Sequence, residues 1–353
     1  MPFEGSESYH SGSYFEPTLE NIKPAVLTDI LLKLERAILQ MDDRVTKVTH
    51  CGASLSKVER ILMNSSGLEQ REQKNGLVIY AGALAEQGEE KKSGFVTRII
   101  HRFEQLNVEE IAREVVEKAV ANLGGETIPS RTYPVILQND AASSFLSVFL
   151  SSFSAEQVEK GQSRLVNQLN EQIASPVLTI IDDPHDANAY HRTNFDAEGV
   201  ATQQQTIIKD GCLKTYLHSR KSAKRFGVEP TGHAAQYSYK GSIVIAPHQF
   251  VVAAGEATKE ELINDLQNGV LITNLTGLHA GANEVSGDFS LAANGLYIEQ
   301  GQIKHAIKQM TIAGNFFDLL QEIHRVGNDC YYGFSRVSSP SLVFSALPIT
   351  VEE

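Results

Sequence analysis

The sequence has few of the residues and segments that mark secreted or membrane proteins. It contains no tryptophan and three cysteines, Cys51, Cys212 and Cys330, at distant positions. An odd number of scattered cysteines without a Cys-x-x-Cys pair excludes a disulfide framework and favours a reducing compartment. The N-terminal stretch lacks the basic and apolar regions of a secretory signal, and no apolar run approaches the roughly 18–20 residues that span a bilayer. We therefore expect a soluble, cytoplasmic protein.

Positive charge is scarce as well. The 353 residues include 31 Lys and Arg against 43 Asp and Glu, which gives a formal net charge of −12. Because nucleic-acid binding needs a field of positive charge, this balance argues against such a partner. The one basic cluster, Arg220, Lys221, Lys224 and Arg225, is short and typical of the solvated face or end of a helix.

Motifs of common active sites are also missing. The sequence has no Gly-x-Ser-x-Gly elbow, no phosphate-binding Gly-x-x-x-x-Gly-Lys loop and no Gly-x-Gly-x-x-Gly fingerprint. Helical zinc peptidases place two histidines one turn apart with a glutamate beside them. The eleven histidines never occur as His-Glu-x-x-His or His-Glu-x-x-x-His. We therefore expect no nucleotide cofactor and no metal, and we assign no catalytic residue.

What is present is a mixture of helices and strands that are segregated more than alternated. Amphipathic spacing predicts helices over residues 24–41, 107–123, 139–153 and 315–326. Strands are predicted within 44–63 and at 76–80, 133–137, 177–181, 205–208 and 241–245. This segregation favours an α+β fold with a mixed, largely antiparallel C-terminal part and flanking helices over a doubly wound sheet.

A change in composition at residues 124–131 marks the expected domain boundary. We predict a flexible lead-in over residues 1–17, a smaller N-terminal α/β portion over 18–130 and a β-rich C-terminal domain over 131–353.

One acidic turn offers side chains that can bind a metal. Asp182, Asp183, His185 and Asp186 lie together, with His191 close behind. Carboxylates and imidazoles ligate divalent ions, but this spacing matches no closed zinc module. A proline within the cluster and the turn preference of Asp and Asn favour a turn that is stabilised by its own side chains.

Three further sites have both a functional and a structural interpretation. Asp196 and Glu198 would point to one face of an extended segment as an acid–base pair, or accept backbone hydrogen bonds in a turn, which we favour. His233 could present its imidazole from a loop as an interface or substrate contact. Cys212 and Cys330 are most simply small hydrophobic residues, since free cysteines are commonly buried.

Two stretches carry a more specific signal. Residues 194–234 contain the phrases FDAEGV and PTGHA, and residues 277–329 contain SGDFSLAANGLYIEQG and TIAGNFFDLL. As a set, these phrases resemble the PmbA/TldE branch of the TldD/PmbA family, and the resemblance extends from about residue 20 to the end. Family members were first described as modulators of DNA gyrase and are understood as parts of a metalloprotease system. They normally include a further N-terminal α/β segment that this sequence does not contain.

The resemblance also locates a helix that would hold the metal in the other branch of the family. There a His-Glu-x-x-x-His helix precedes landmarks that stand here at 161–163, 182–184 and 196–199. Counting back from Gly161 places the three motif positions on Leu146, Ser147 and Ser151. Leucine cannot bind zinc, and serine is neither a strong zinc ligand nor a general base near neutral pH.

The resemblance therefore implies a subunit without its own metal, paired as a heterodimer with a TldD-like metalloprotease subunit that processes unstructured peptides. It would form a homodimer when alone, and it would offer a sheet edge, which we place at 283–291, to an extended peptide. Two alternatives remain open. One is a regulatory protein that binds DNA gyrase or a toxin–antitoxin pair, and the other is a stand-alone metal-dependent hydrolase that uses the turn from Asp182 to His191.

Overall fold

The computed structural model describes residues 3–238 and 240–352. The first part of the chain forms a three-stranded antiparallel sheet with two long helices on one face. Its elements are α1 (Pro17–Glu20), α2 (Pro24–Met41), β1 (Val45–Met63), β2 (Glu69–Gln87), β3 (Glu90–Ile100) and α3 (Val108–Val120).

Helix α2 has the bounds that its apolar spacing predicts, and it begins on a proline whose missing N–H is harmless in the first turn. Helix α3 begins after Asn107, where the predicted helix begins, and the Asn107 side chain accepts a hydrogen bond from the Glu110 N–H. The strands predicted within 44–63 are one continuous strand, β1, because its partner β2 pairs with it along the whole length.

The second part of the chain contains the remaining elements. In chain order they are β4 (Arg131–Leu137), α4 (Asn139–Val148), α5 (Ala155–Glu159), β5 (Ile180–Asp182), β6 (Gln205–Lys209), β7 (Cys212–Leu213), α6 (Arg220–Phe226), β8 (Ala234–Ala235), β9 (Val244–Ile245), β10 (Phe250–Val252), α7 (Lys259–Leu266), β11 (Gly269–Thr276), α8 (Leu278–Gly281), β12 (Asp288–Glu299), β13 (Gln302–Ala306), β14 (Met310–Asn315), α9 (Phe316–Gln321), β15 (Ile323–Val326), β16 (Tyr331–Tyr332), β17 (Val337–Ser339) and β18 (Leu342–Val351).

These strands form two larger sheets and one small one. The largest has the order β11-β4-β18-β14-β12-β13, with β15 beside β18, and it closes on itself because β11 also pairs with β12. A six-stranded sheet runs β16-β17-β10-β5-β6-β7, and β8 pairs with β9. Most pairings are antiparallel, so the α+β prediction with a largely antiparallel C-terminal part is confirmed.

Helix α4 lies across the closed sheet through aromatic side chains. Phe145 packs edge-on against Phe289, and Phe149 stacks on Phe316 with ring centroids 4.1 Å apart. The helix ends at Val148 and continues as a tight turn over Leu150–Phe153, earlier than the predicted end at residue 153. The apolar stripe continues through both conformations, so spacing alone did not reveal the change.

Two sequence predictions about elements were wrong. The last predicted helix, 315–326, ends at Gln321, and Ile323–Val326 is strand β15 because β18 provides its hydrogen-bond partners. The predicted sheet edge at 283–291 is not open, since Asp288–Leu291 of β12 pairs with β14 and Phe289 also bridges Ala282.

Among the described residues, no helix is long and apolar enough to cross a membrane. The division at residues 17 and 130 stays a prediction, as does the flexibility of residues 1–17. Beyond Met1 and Pro2, which lie outside the described residues, this lead-in lies against the later loops: Tyr9 Oη donates to the Gly199 carbonyl at 2.7 Å, and Tyr14 Oη donates to Asn194 Oδ1 at 2.6 Å.

Candidate functional site

Titratable side chains form a buried cluster around Asp182. Strand β5 ends at Asp182, whose side chain is completely buried. Asp182 Oδ2 lies 2.8 Å from His233 Nε2, while Oδ1 accepts hydrogen bonds from the backbone N–H groups of His248 and Gln249 at 2.9 and 2.8 Å. The loop after β9 therefore holds the carboxylate from one side and His233 holds it from the other.

The two histidines of this cluster are also fully engaged with the protein. His233 Nδ1 lies 2.7 Å from Thr231 Oγ1, and His248 Nε2 lies 2.7 Å from the Gly232 carbonyl. Burial alone would raise the pKa of Asp182, but the hydrogen bond and charge of His233, with smaller help from His248 and a backbone amide, hold it below its usual value. Burial lowers the pKa of His248 to about 3, so this imidazole is neutral at pH 7.

Within residues 3–238 and 240–352, Asp182, His233 and His248 are the one group whose ligand atoms lie within 4.8 Å of one another. A metal there would have to displace the His233–Asp182 contact or the amide donors, in a place closed to solvent. Because both carboxylate oxygens already have partners, the cluster does not fit a metal site and instead joins β5 to the β8–β9 region. His248 lies 66 positions from Asp182, and no motif in the sequence connects the two residues.

The other residues of the acidic turn are directed to separate partners. Asp183 Oδ1 accepts from the His185 N–H at 2.9 Å, and His185 Nδ1 lies 2.6 Å from Tyr14 Oη. His191 Nε2 lies 3.0 Å from the Phe334 carbonyl, and burial lowers its pKa to about 4. Asp186 accepts from Tyr332 Oη at 2.9 Å. The structure therefore does not bring His185 or His191 to Asp182, and the arrangement is that of a turn.

The carboxylates of Asp196 and Glu198 also accept hydrogen bonds from backbone N–H groups. Asp196 Oδ1 accepts from the N–H groups of Glu198 and Val200, and Oδ2 accepts from Ala234 N–H. Burial raises the pKa of Asp196 to about 6 although the three amides oppose it. Glu198 accepts from the Arg220 N–H at 2.7 Å, which places it at the start of α6. This is the geometry that the turn interpretation expects.

The predicted cysteines show no activated thiol. Cys212 Sγ lies 3.2 Å from Gln172 Oε1, and burial raises the pKa of Cys330 to about 11. A thiol with a raised pKa is a poor nucleophile at neutral pH.

The motif positions, Leu146 and Ser147 on α4 and Ser151 on the turn after it, lie beside an open cavity of about 470 Å³. Ser147 and Ser151 line it, whereas Leu146 is 6% exposed and belongs to the core. Ser147 Oγ donates to the Ser144 carbonyl at 2.7 Å, and Ser151 Oγ donates to Glu284 Oε2 at 2.8 Å. Hydroxyl groups that donate to protein oxygens do not fit the ligand set of a catalytic zinc, which takes imidazole, thiolate or carboxylate groups.

The cavity combines an aliphatic floor with a polar rim. The floor consists of partly buried side chains that pack on the main core: Val148, Leu150, Ile245, Leu278 and Ala282. The rim includes the two serines and four larger polar side chains: Tyr237, His279, Glu284 and Arg336. Arg336 Nη1 donates to the Pro247 carbonyl at 2.9 Å, which fixes its guanidinium at the rim. This combination suits an amphipathic ligand with alternating apolar and polar groups.

One residue that lines the cavity, Ile245, belongs to a strand with an unpaired edge. In the β8–β9 pair, Ala234 lies opposite Ile245, and the Ala246 N–H donates to the His233 carbonyl. Because antiparallel pairs alternate, the Ile245 N–H and C=O point away from β8. The main chain of Ala234 likewise points away from β9: its N–H donates to Asp196 Oδ2, and its carbonyl accepts from the Ala197 N–H. None of the described residues hydrogen-bonds to the main chain of Ile245.

Comparison with known proteins agrees with this architecture. Residues 17–123 match the PmbA/TldA metallopeptidase central domain, and residues 130–351 match the C-terminal domain of the same family. Both halves of the fold thus fall within one class of metallopeptidase-related proteins. The chain belongs to the PmbA/TldD family.

Relatives and solved structures point the same way. The chain is 27% identical over 309 residues to the metalloprotease PmbA of Escherichia coli O157:H7. The aligned region covers 87% of this chain and 66% of that protein. It therefore spans about two thirds of that relative. A candidate modulator of a DNA gyrase from Thermotoga maritima superposes with a TM-score of 0.94 at 34% identity, over 99% of this chain and 80% of that one. TldE from Thermococcus kodakarensis superposes with a TM-score of 0.91 at 26% identity, over 99% and 79%.

Proposed function

We propose that this chain is the subunit of a PmbA/TldD-type peptide-processing system that does not hold the catalytic metal. The observation that carries the proposal is the cavity wall formed by α4 and the turn after it, where Ser147 and Ser151 occupy motif positions and donate to protein oxygens. Leu146, at the remaining position, packs in the core. The metal and the hydrolytic step would then belong to a TldD-like partner subunit.

The role of the cavity would be to hold an extended segment of the peptide. The outward N–H and C=O of Ile245 could add the peptide as a strand, a mode of recognition that reads backbone more than side chains. Alternate side chains of such a strand would face the aliphatic floor or the polar rim. This location replaces the sheet edge expected at 283–291, where β12 is already paired.

A cytoplasmic location is part of the proposal. Cys51, Cys212 and Cys330 are all free, which supports a reducing compartment. Neither alternative function gains a specific observation. The turn from Asp182 to His191 is engaged by protein groups, and no contact of the described residues favours a regulatory complex with DNA gyrase or a toxin–antitoxin pair.

The test is a peptidase assay on unstructured peptides with metal analysis of the same samples. This chain, a metal-binding PmbA/TldD-family partner and their mixture are assayed separately. The proposal expects cleavage in the mixture, with the metal in the partner and none at stoichiometric level in this chain. Cleavage by this chain alone with one bound metal would refute it. The matched variant is Ser147→Ala with Ser151→Ala, which should leave the metal content of the mixture unchanged, because neither hydroxyl is assigned a ligand role.

A further inference from the structure

The unpaired edge at Ile245 ends abruptly at Pro247. Outward and inward residues alternate along an antiparallel strand, so after Ile245 the next main chain that would face an added strand is that of Pro247. Pro247 lines the same cavity as Ile245, which agrees with this phase. Proline has no N–H to donate, and the Pro247 carbonyl already accepts from Arg336 Nη1 at 2.9 Å. A peptide strand paired at Ile245 therefore finds no further main-chain partner in this direction.

The guanidinium of Arg336 is fixed beside this break. Its Nη1 donates to the carbonyls of Pro247 and, at 3.4 Å, of His248, so it takes the place of the N–H that a continuing strand would bring to Pro247. Within residues 3–238 and 240–352, the other guanidinium nitrogens donate to no protein acceptor, and no carboxylate forms an ion pair with Arg336. None of these nitrogens is sealed from solvent. The cavity thus contains a positioned positive charge with unused donors.

A parallel strand would bring the carboxyl end of a peptide to this guanidinium. In a parallel pair, the Ile245 N–H would donate to one peptide residue, and the Ile245 carbonyl would accept from the residue two positions further on. With a rise of about 3.3 Å per residue, the carboxyl group of that second residue would face the place where Pro247 lacks an N–H. An antiparallel strand would instead bring the amino end of the peptide there, and Arg336 would repel its positive charge.

We infer that the cavity captures the free C-terminal end of a peptide, with the last residue paired to the Ile245 carbonyl and its carboxylate bound by Arg336. This inference rests on the peptide-binding role proposed for the cavity. A guanidinium matches a carboxylate with two parallel hydrogen bonds, which a neutral amide cannot provide. A longer peptide would also have to continue past a main chain that offers it no partner. The ligand class is therefore an unstructured peptide with a free C-terminal carboxylate.

The other rim residues are compatible with this position of the peptide end. Glu284 would repel a carboxylate, but its Oε2 accepts from Ser151 Oγ at 2.8 Å and its carbonyl accepts from Ser152 Oγ at 3.1 Å, so it belongs to the turn after α4. The Tyr237 ring centroid lies 6.0 Å from Arg336 Cζ, on the side of the β8–β9 pair. Opposite charges thus belong to different walls, and the peptide end is expected at the Pro247 wall.

The first experiment compares three versions of one unstructured peptide by fluorescence anisotropy, each labelled at its amino end. One ends in a free carboxylate, one in a carboxamide, and one in a carboxamide with an added internal aspartate that restores the net charge of the first. The free acid should bind the full chain at least tenfold more tightly than either amide, because a charged hydrogen-bonded pair is lost. The third peptide separates recognition of the peptide end from attraction of any negative charge.

The second experiment repeats the comparison with variants of the guanidinium. Arg336→Met keeps an unbranched apolar stem and should bring the free acid and the amides to within about twofold of one another. Arg336→Lys keeps the charge without the paired donors and should retain a smaller preference, of about threefold. The matched control is Arg113→Met, which removes one positive charge from an exposed position on α3, outside the cavity, and should keep the full preference. Thermal melting checks that each variant is folded.

The outcomes distinguish this inference from the proposed function. If the acid and the amides bind equally and Ile245→Pro still weakens all three, the inference fails and the proposed function stands. If no peptide binds, both fail. A preference for the acid that Arg336→Met leaves unchanged would place the peptide end elsewhere and overturn the inference. A preference that Arg336→Met abolishes and Arg113→Met keeps would support it.

Discussion

The comparison of the buried cluster around Asp182 with the cavity beside α4 shows that suitable residue types alone do not make a metal site. The cluster contains an Asp and two His, the side chains that zinc prefers, but it is sealed and each carboxylate oxygen is already bonded. The cavity is open and about 470 Å³ in volume, but its α4 wall presents serines. A site needs access and free ligand atoms together, and in the described residues neither region has both.

The difference also explains what each region contributes. Removing a partner from a buried charged pair leaves the other group without compensation, so the cluster should matter for stability. The cavity side chains are hydrated at least in part and should matter for binding. Substitutions can therefore test the comparison. Those in the cluster should lower the free energy of unfolding, whereas those in the cavity should alter binding.

The largest effect is expected for Asp182→Ala. It removes a completely buried carboxylate and leaves His233 and two backbone N–H groups without their acceptor. The free energy of unfolding should fall by roughly 3–5 kcal/mol, measured by urea denaturation. Asp183→Ala is the matched control, since it removes a half-buried neighbour and should cost about 1 kcal/mol. Equal losses for the two variants would show that the cluster has no special structural role.

Acid should weaken the fold through the same cluster. The pKa of His248 is about 3 in the folded chain and near 6.5 in an unfolded one, so its contribution is present above pH 6.5 and is lost as the pH falls towards 3. Between pH 7 and pH 5 this amounts to about 2 kcal/mol. Asp196, whose pKa is raised to about 6, acts in the opposite direction, because its stabilising protonated form is lost as the pH rises through 6.

The pH effect can be measured as the change in thermal midpoint between pH 7 and pH 5. A His248→Gln variant removes the titrating imidazole, so its midpoint should change less over this interval than that of the original chain. A midpoint that rises on acidification, or one whose pH dependence survives this substitution unchanged, would contradict the assignment.

A smaller effect is expected at the acidic turn. His185→Ala with His191→Ala removes hydrogen bonds to Tyr14 and to the Phe334 carbonyl. Each should cost about 0.5–1.5 kcal/mol in unfolding free energy, and peptidase activity of the mixture with the partner subunit should not change. Loss of activity with intact folding would instead favour the stand-alone hydrolase and move the chemistry to this turn.

The smallest effect on stability is expected for Ser147→Ala and Ser151→Ala. Both hydroxyls line an open cavity, and their bonds go to Ser144 and Glu284, which can bond to water instead. Each variant should stay within about 1 kcal/mol of the original in urea denaturation. A loss as large as that of Asp182→Ala would place these serines among the groups that hold the fold together.

Local features of the fold could be predicted from the sequence, and pairings between distant segments could not. The bounds of α2 follow from its apolar spacing, and the start of α3 follows from the Asn107 cap. The last helix was extended too far because Ile323 continues its apolar stripe, whereas pairing with β18, some 20 residues away, makes it a strand. Spacing reports local structure and carries no information on such partners.

The candidate site also combines features that the sequence could predict with features that depend on contacts between distant segments. The α4 positions and their serines could be located from family landmarks along the chain. The joining of Asp182 to His233 and to the His248 amide depends on tertiary contacts across 51 and 66 positions. The open edge at Ile245 depends on the phase of a two-residue strand pair, which no periodicity in so short a segment reveals.

The most direct test of the central claim is peptide binding by this chain alone, followed by fluorescence anisotropy with and without a metal chelator. If the cavity holds peptide through the Ile245 edge and contains no metal, an unstructured labelled peptide should bind equally in both conditions and remain uncleaved. Ile245→Pro removes an N–H that has no partner within the described chain, and should weaken binding at least tenfold while the fold is kept. Binding that requires metal, or that is unaffected by Ile245→Pro, would contradict the account.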